Sequence, residues 1–160
     1  MEYTYKTLDQ IPHISDDFAE RYNTLISQLT SRPSDVAVSD LDEVKERVAS
    51  ELLLCVFTPE DVLVGLAQGT YLCTPPNYIL YINTVVVDTS QRGSGLGTHL
   101  MEKIEDLAKE RWPQIRKITF TSGPDRNTRG FYERLGYIAR VPENNNETIM
   151  YVKDMKGHIP

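Results

Sequence analysis

Cysteine is scarce in this chain, with only Cys55 and Cys73 among 160 residues. That excludes a disulfide-stapled scaffold. Both lie in apolar, strand-like stretches, which predicts two buried thiols. With three histidines and no C-x-x-C pair, no spacing of metal ligands stands out, and no metal is expected. Positive charge is not in excess either. Seventeen Lys and Arg against 23 Asp and Glu leave a net charge of −6, which argues against a nucleic-acid partner. No apolar run approaches the length that spans a bilayer, and the opening MEYTYKTLDQ lacks the basic-then-apolar order of a secretory leader. The expectation is a cytoplasmic chain with no membrane partner. What is present, 40% hydrophobic and 25% charged residues, is an ordinary globular composition, and the length suits one domain over residues 1–160.

Changes in hydrophobic period mark the elements. YTYKTL alternates as a short strand. SDDFAERYNTLISQLT opens on a capping Ser-Asp-Asp and carries Phe18, Tyr22, Leu25 and Leu29 at helical spacing. A polar link leads through Ser39 and Asp40 to a second helix, LDEVKERVAS. ELLLCVFT and VLVGLAQGTYLC read as strands in a hairpin, and YILYINTVVVD is the most strand-like run of all. Leu96, Leu100, Ile104, Leu107 and Ala108 then mark one face of a helix ending near Trp112-Pro113. IRKITFTS is a strand, followed by a turn at Gly123-Pro124-Asp125 and a short helix, NTRGFYERL, closed by Gly136. YIARV and TIMYVKD, across PENNNE, complete an antiparallel pair. This order predicts an α/β (α+β) fold. It would have one mixed, largely antiparallel sheet, a central parallel strand–helix–strand crossover and about four helices.

Glycines at 93, 95 and 97 sit where the strand ending in VVVD passes into a helix. A P-loop needs G-x-x-x-x-G-K-[ST], which is missing, and Thr98 stands where the dinucleotide fingerprint has its last glycine. Two readings remain. Either the glycines make a tight turn only, or their N–H groups and the positive end of the helix cradle a pyrophosphate, with Arg92 at its lip.

VVVDTSQRGSGLGTHLM resembles the acetyl-CoA motif (Q/R)-x-x-G-x-(G/A) of the GNAT superfamily of N-acetyltransferases, with Arg92, Gly95 and Gly97 at its defined positions. FYERLGY, residues 131–137, resembles the same family's later motif, one helix and one strand downstream. The element order from residue 3 to 153 follows the family's layout. The resemblance implies a GNAT-type acyl-CoA N-acyltransferase fold with acetyl-CoA as co-substrate and no metal. The reaction implied is acetyl transfer to a primary amine of a small molecule or peptide.

It implies roles as well. Arg92, Gly93, Ser94, Gly95, Leu96, Gly97 and Thr98 would hold the coenzyme phosphates. The backbone of Val85, Val86 and Val87 would bind the pantetheine arm, with Val86 or Val87 polarising the thioester. Tyr132 would act as general acid to the departing thiolate, with Phe131 and Asn127 against the coenzyme. For the residues themselves, core packing of Phe131 and Tyr132 and helix capping by Asn127 are the alternatives. Arg126 and Arg129 would meet phosphates or solvent. A general base is not evident, because YILYINTVVV carries no carboxylate and has Tyr81 and Asn83 instead. An alkyl ammonium is neutral in only about one molecule in 2,500 at pH 7, a handicap of about 4.6 kcal/mol. Asp88 and Glu51 are candidates, and His99 reads as a surface residue. A non-catalytic acyl-CoA-binding module is the alternative to an enzyme, and the oligomeric state, monomer or homodimer, stays open.

Overall fold

In the computed structural model the alternating and apolar runs form one seven-stranded sheet, in the order β1-β2-β3-β4-β5-β7-β6. The structure describes residues 2–29, 33–122, 126–140 and 148–155. The strands are β1 (Thr4–Thr7), β2 (Glu51–Phe57), β3 (Leu63–Thr74), β4 (Asn77–Val87), β5 (Lys117–Ser122), β6 (Ile138–Arg140) and β7 (Ile149–Asp154). Four helices are described: α1 (Asp16–Ser27), α2 (Val38–Glu46), α3 (Leu96–Arg111) and α4 (Arg126–Arg134). Every neighbouring pair of strands is antiparallel except β4 and β5, which α3 connects. The mixed sheet and its single parallel crossover are therefore as the sequence predicts.

Helix α3 covers one face of the sheet because its apolar stripe recurs every three or four residues. Leu96, Leu100, Met101, Ile104 and Ala108 are buried against Leu52, Leu54, Val56, Ala67 and Leu80. Each of the leucine, isoleucine, valine and methionine side chains contributes about 1.5–3 kcal/mol by leaving water. On the opposite face Phe18, Tyr22 and Leu25 of α1 pack on Leu53, Cys55, Leu66 and Val86. Ser15 caps α1 by accepting the Phe18 N–H at 3.0 Å.

Local chemistry moved two boundaries. Helix α1 stops at Ser27, so Leu29 lies beyond it and is half exposed. Helix α2 begins at Val38, before the predicted start, since Asp40 reaches back to accept the Ala37 N–H at 2.9 Å. The expectation of two buried thiols is corrected for Cys73. Cys55 is buried in β2, where desolvation pushes its thiol well up. Cys73 is exposed, because the β3–β4 hairpin runs on past the helices that cover its base. The predicted turn at 123–125 and the PENNNE loop lie outside the described residues. Among the described residues no helix is long and apolar enough to cross a membrane.

Candidate active site

The parallel pair β4–β5 is short. It joins Ile79 to Lys117, Leu80 to Ile118 and Tyr81 to Thr119, and then stops. Opposite β3, the register jumps from Gly69↔Ile82 to Gln68↔Thr84, which leaves Asn83 as a bulge residue. A bulge bends and twists its strand, and this one lies just where β4 leaves β5. From Thr84 to Val87, β4 pairs with β3 alone. The N–H of Asp88 donates to Val64 O at 2.8 Å. Backbone direction alternates along an antiparallel strand, so Val86 also faces β3, while Val85 and Val87 turn their N–H and C=O groups to the open edge. Val86 instead sends its side chain into the core beneath α1. Of the three valines named from sequence, Val85 and Val87 have backbone groups without a partner among the described residues, and Val86 does not.

A single 3₁₀ turn, Thr89–Gln91, joins the open edge to the glycine turn. Gly93 and Gly95 have φ of 84° and 81°, left-handed conformations that strain other L-residues. A Cβ on either would meet nothing within 4 Å. The turn therefore needs glycine for its backbone angles, with clear space in front of it. Gly95 is the N-cap of α3 and supplies no side-chain cap. The first amides of the helix, at Leu96, Gly97 and Thr98, consequently have no intrahelical acceptor. The Ser94 hydroxyl donates back to Gln91 O at 2.6 Å, so it braces the turn. Val87, Arg92, Gly95, Thr98 and Phe131 are among the residues that line a groove of about 320 Å³ here. Arg92 is exposed and makes no ion pair among the described residues. A larger cavity, about 590 Å³, lies between α1 and the ends of β2 and β3. None of the predicted coenzyme residues lines it among the described residues, whereas the smaller groove holds the amides at the start of α3.

Tyr132 stands at the parting of the strands. Its ring meets Phe120 edge-on at 4.6 Å, and Phe120 directly follows Thr119, the last β5 residue paired with β4. Tyr151 and Tyr137 complete the surround, at 4.8 and 6.4 Å. Desolvation in this aromatic nest, then the neighbouring Tyr151, push the Tyr132 phenol above its ordinary value of 10.0. Tyr151 is itself wholly buried, and its hydroxyl has no hydrogen-bond partner among the described residues.

A groove with N–H donors at a helix start thus lies next to an opened strand edge and a half-buried phenol. The model of the acetyltransferase (GNAT) family matches residues 16–137. The chain belongs to that family. Solved GNAT-fold structures superpose over nearly the whole chain. The acetyltransferase of GNAT family from Streptococcus pneumoniae is 14% identical, with a TM-score of 0.75 over 96% of this chain and all of that one. An aminoglycoside 6′-N-acetyltransferase complexed with coenzyme A is 16% identical, with a TM-score of 0.73 over 100% of this chain and 98% of that one. NAA60 from Arabidopsis thaliana, in complex with a bisubstrate analogue, is 12% identical, with a TM-score of 0.71 over 98% of this chain and 99% of that one. At such identities these likenesses show the fold. No curated protein sequence matches the chain.

The remaining candidates of this GNAT domain fall into place by contact. Asp88 is held below its ordinary value of 3.8, first by a hydrogen bond from Gln28 and then by one from Ser90, against the upward push of burial. Arg21 adds an ion pair at 3.8 Å. A carboxylate so occupied is a poor proton acceptor, and its visible work is to tie α1 to the glycine turn. His99 is exposed on α3, as expected. Arg129 pairs with Glu133 at 3.6 Å. The side chains of Arg126 and Asn127 lie outside the described residues. Phe120, Tyr137 and Tyr151 escaped the sequence reading. Their aromatic character was visible, but only strand pairing shows that they gather around Tyr132.

Proposed function

We propose that this protein transfers an acetyl group from acetyl-CoA to the primary amine of a small molecule or peptide, within the cytoplasm. The observation that carries the reading is the open edge of β4, which one short 3₁₀ turn, Thr89–Gln91, joins to the left-handed glycine turn at the start of α3. One strip of backbone thereby presents donors for an extended chain and, at its end, donors for a pyrophosphate. Such a ligand is what coenzyme A is: a pantetheine arm joined to a diphosphate. The relatives named with coenzyme A and with a bisubstrate analogue support the same choice.

The residues would divide the work as follows. The amides at the head of α3 and the Arg92 guanidinium meet the phosphate charge. Val87, nearer the phosphates, pairs with a pantetheine amide, and the Val85 N–H, two residues farther along the open edge, meets the thioester oxygen and stabilises the negative charge that develops there. Bound acetyl-CoA supplies an activated acetyl group. Once the acceptor ammonium has given one proton to solvent, the neutral amine attacks, a C–N bond forms as the C–S bond breaks, nitrogen loses one further proton and sulfur gains one. Tyr132 holds the proton for that sulfur. Burial keeps its phenol protonated, and because a phenol is a weaker acid than a thiol near 8.5, it donates a hydrogen bond to the leaving sulfur and transfers the proton in concert with bond breaking.

The test is release of free CoA thiol across a panel of polyamines, amino sugars, aminoglycosides and lysine peptides. Tyr132→Phe is expected to lower kcat by about 10²- to 10⁴-fold with the dissociation constant of acetyl-CoA unchanged. Unchanged kcat with a good acceptor would remove Tyr132 from the role of acid. Tight acetyl-CoA binding without thiol release from any amine would make the chain a binding module.

A further inference from the structure

We infer that the acceptor's cationic amine is received by the side-chain carbonyl of Asn83, and that Glu51, acting through Thr70, supplies the negative charge that β4 itself lacks. This rests on the acetyltransferase reading and adds to it the charge class and the seat of the acceptor. Glu51, Thr70, Tyr81 and Thr119 stand in register across four strands, β2 to β5. Side chains two apart share a face of a strand. Glu51 therefore lies on the side of Leu53 and Cys55, and Thr70 on the side of Leu66, which is the side that α1 covers further along. At this row the helix is gone: Asn83 and Thr121 are exposed, and Tyr81 and Thr119 are half-buried.

Hydrogen bonds run one way along this row. Asn83 Nδ2 donates to Thr70 Oγ1 at 2.9 Å, and the Thr70 hydroxyl donates to Glu51 Oε1 at 3.0 Å. The direction is forced by chemistry. A carboxylate only accepts, so the single Thr70 proton goes to Glu51, and the Thr70 oxygen can take only the NH₂ side of Asn83. The Asn83 carbonyl oxygen is thereby turned outward. It accepts no hydrogen bond among the described residues. A chain of donors ending on a carboxylate polarises each link, which makes that outward oxygen a stronger acceptor. It suits an ammonium group and repels an anion.

Position adds the rest. Asn83 is the bulge residue between Tyr81, where β4 last pairs with β5, and Val85, where its free backbone begins. A cation held there stands about two residues, roughly 7 Å of strand, from the backbone assigned to the thioester. Lys117, the basic residue two positions before Thr119 on β5, faces Asp154 across the β5–β7 pair, so it does not cancel the charge of Glu51 at this row.

The experiment is an NMR titration of the protein in the presence of CoA, with n-butylamine as a cationic probe and 1-butanol as its neutral counterpart. CoA must first shift the amides of residues 93–97. If it does not, the acetyltransferase reading fails and this inference falls with it. Given those shifts, butylammonium is expected to move the Asn83 side-chain NH₂ signals and to bind about tenfold more tightly than butanol. Glu51→Gln is expected to abolish that preference and Glu51→Asp to keep most of it. Asn83→Asp in the Glu51→Gln background is expected to restore it by placing the charge on β4. If Glu51→Gln does not fold, Thr70→Val, which cuts the chain and leaves the charge, must lose the preference as well. Equal binding of the two probes to the wild type, butylammonium shifts away from Asn83, or an unchanged preference in Glu51→Gln overturns the inference and leaves the coenzyme reading intact.

Discussion

Replacing Lys153 by methionine tests how the helix carrying Tyr132 is held in place. Lys153 Nζ donates to Glu105 Oε1 and to the Leu135 carbonyl, each at 2.8 Å, and the Tyr137 hydroxyl donates to Glu105 Oε2 at 2.7 Å. The Tyr137 N–H in turn closes on the Tyr132 carbonyl at 3.1 Å. Glu105 on α3 thus clamps the end of α4 and the start of β6 through β7. Its side chain is 7% exposed, while that of Lys153 is 27% exposed. Removing one partner of a fully buried pair costs about 3–5 kcal/mol, and an exposed pair is worth about 0–1. With the carboxylate buried and the ammonium at the rim, Lys153→Met should cost about 2 kcal/mol. That is about 4–8 °C in Tm for a chain of this length. The assay is urea unfolding of the wild type, Lys153→Met, Glu105→Gln and the double variant. Glu105→Gln removes the charge that needs a partner, so Lys153→Met should cost at least about 1 kcal/mol less in that background. A cost under about 0.5 kcal/mol for Lys153→Met alone, or additivity of the two changes, would refute the reasoning.

Three further outcomes follow from the site. Acetyl-CoA at 100 times its dissociation constant should raise unfolding stability by about 2.7 kcal/mol, and Gly95→Val should abolish that gain, since it strains a φ of 81° and fills the space before the α3 amides. Full stabilisation of Gly95→Val by acetyl-CoA would remove the turn from the coenzyme site. Asp88 has a folded pKa below its ordinary value of 3.8, so its contribution is complete above that value and is lost as pH falls through the lowered one. Asp88→Asn should therefore flatten the decline in stability below about pH 4, as read from chemical denaturation between pH 2 and 6. Tyr132→Phe and Glu51→Gln separate the two halves of the proposed site, the first moving kcat and the second the preference for a charged acceptor.

Much of the fold was legible because its signals are local. Period-2 runs became strands, Phe18, Tyr22 and Leu25 became the buried stripe of α1, and Gly136 took the φ of 97° that ends α4. Boundaries were less legible. Leu29 continued the helical spacing but lies past the end of α1, and the apolar neighbours of Cys73 gave no hint that the hairpin outruns its cover.

The sequence by itself determined the glycine turn, the crossover helix behind it and the tyrosine of FYERLGY, since each depends on residues within a few positions of one another. Tertiary structure decided what those parts are next to. Strand pairing set where β4 leaves β5, and a one-residue bulge at Asn83 set which valines show free backbone, Val85 and Val87 but not Val86. It also joined Asn83 to Glu51, 32 positions away in the chain and two strands away in the sheet, through the hydroxyl of Thr70. No spacing along the chain encodes that link, because register between strands is settled by which faces are buried and not by sequence distance.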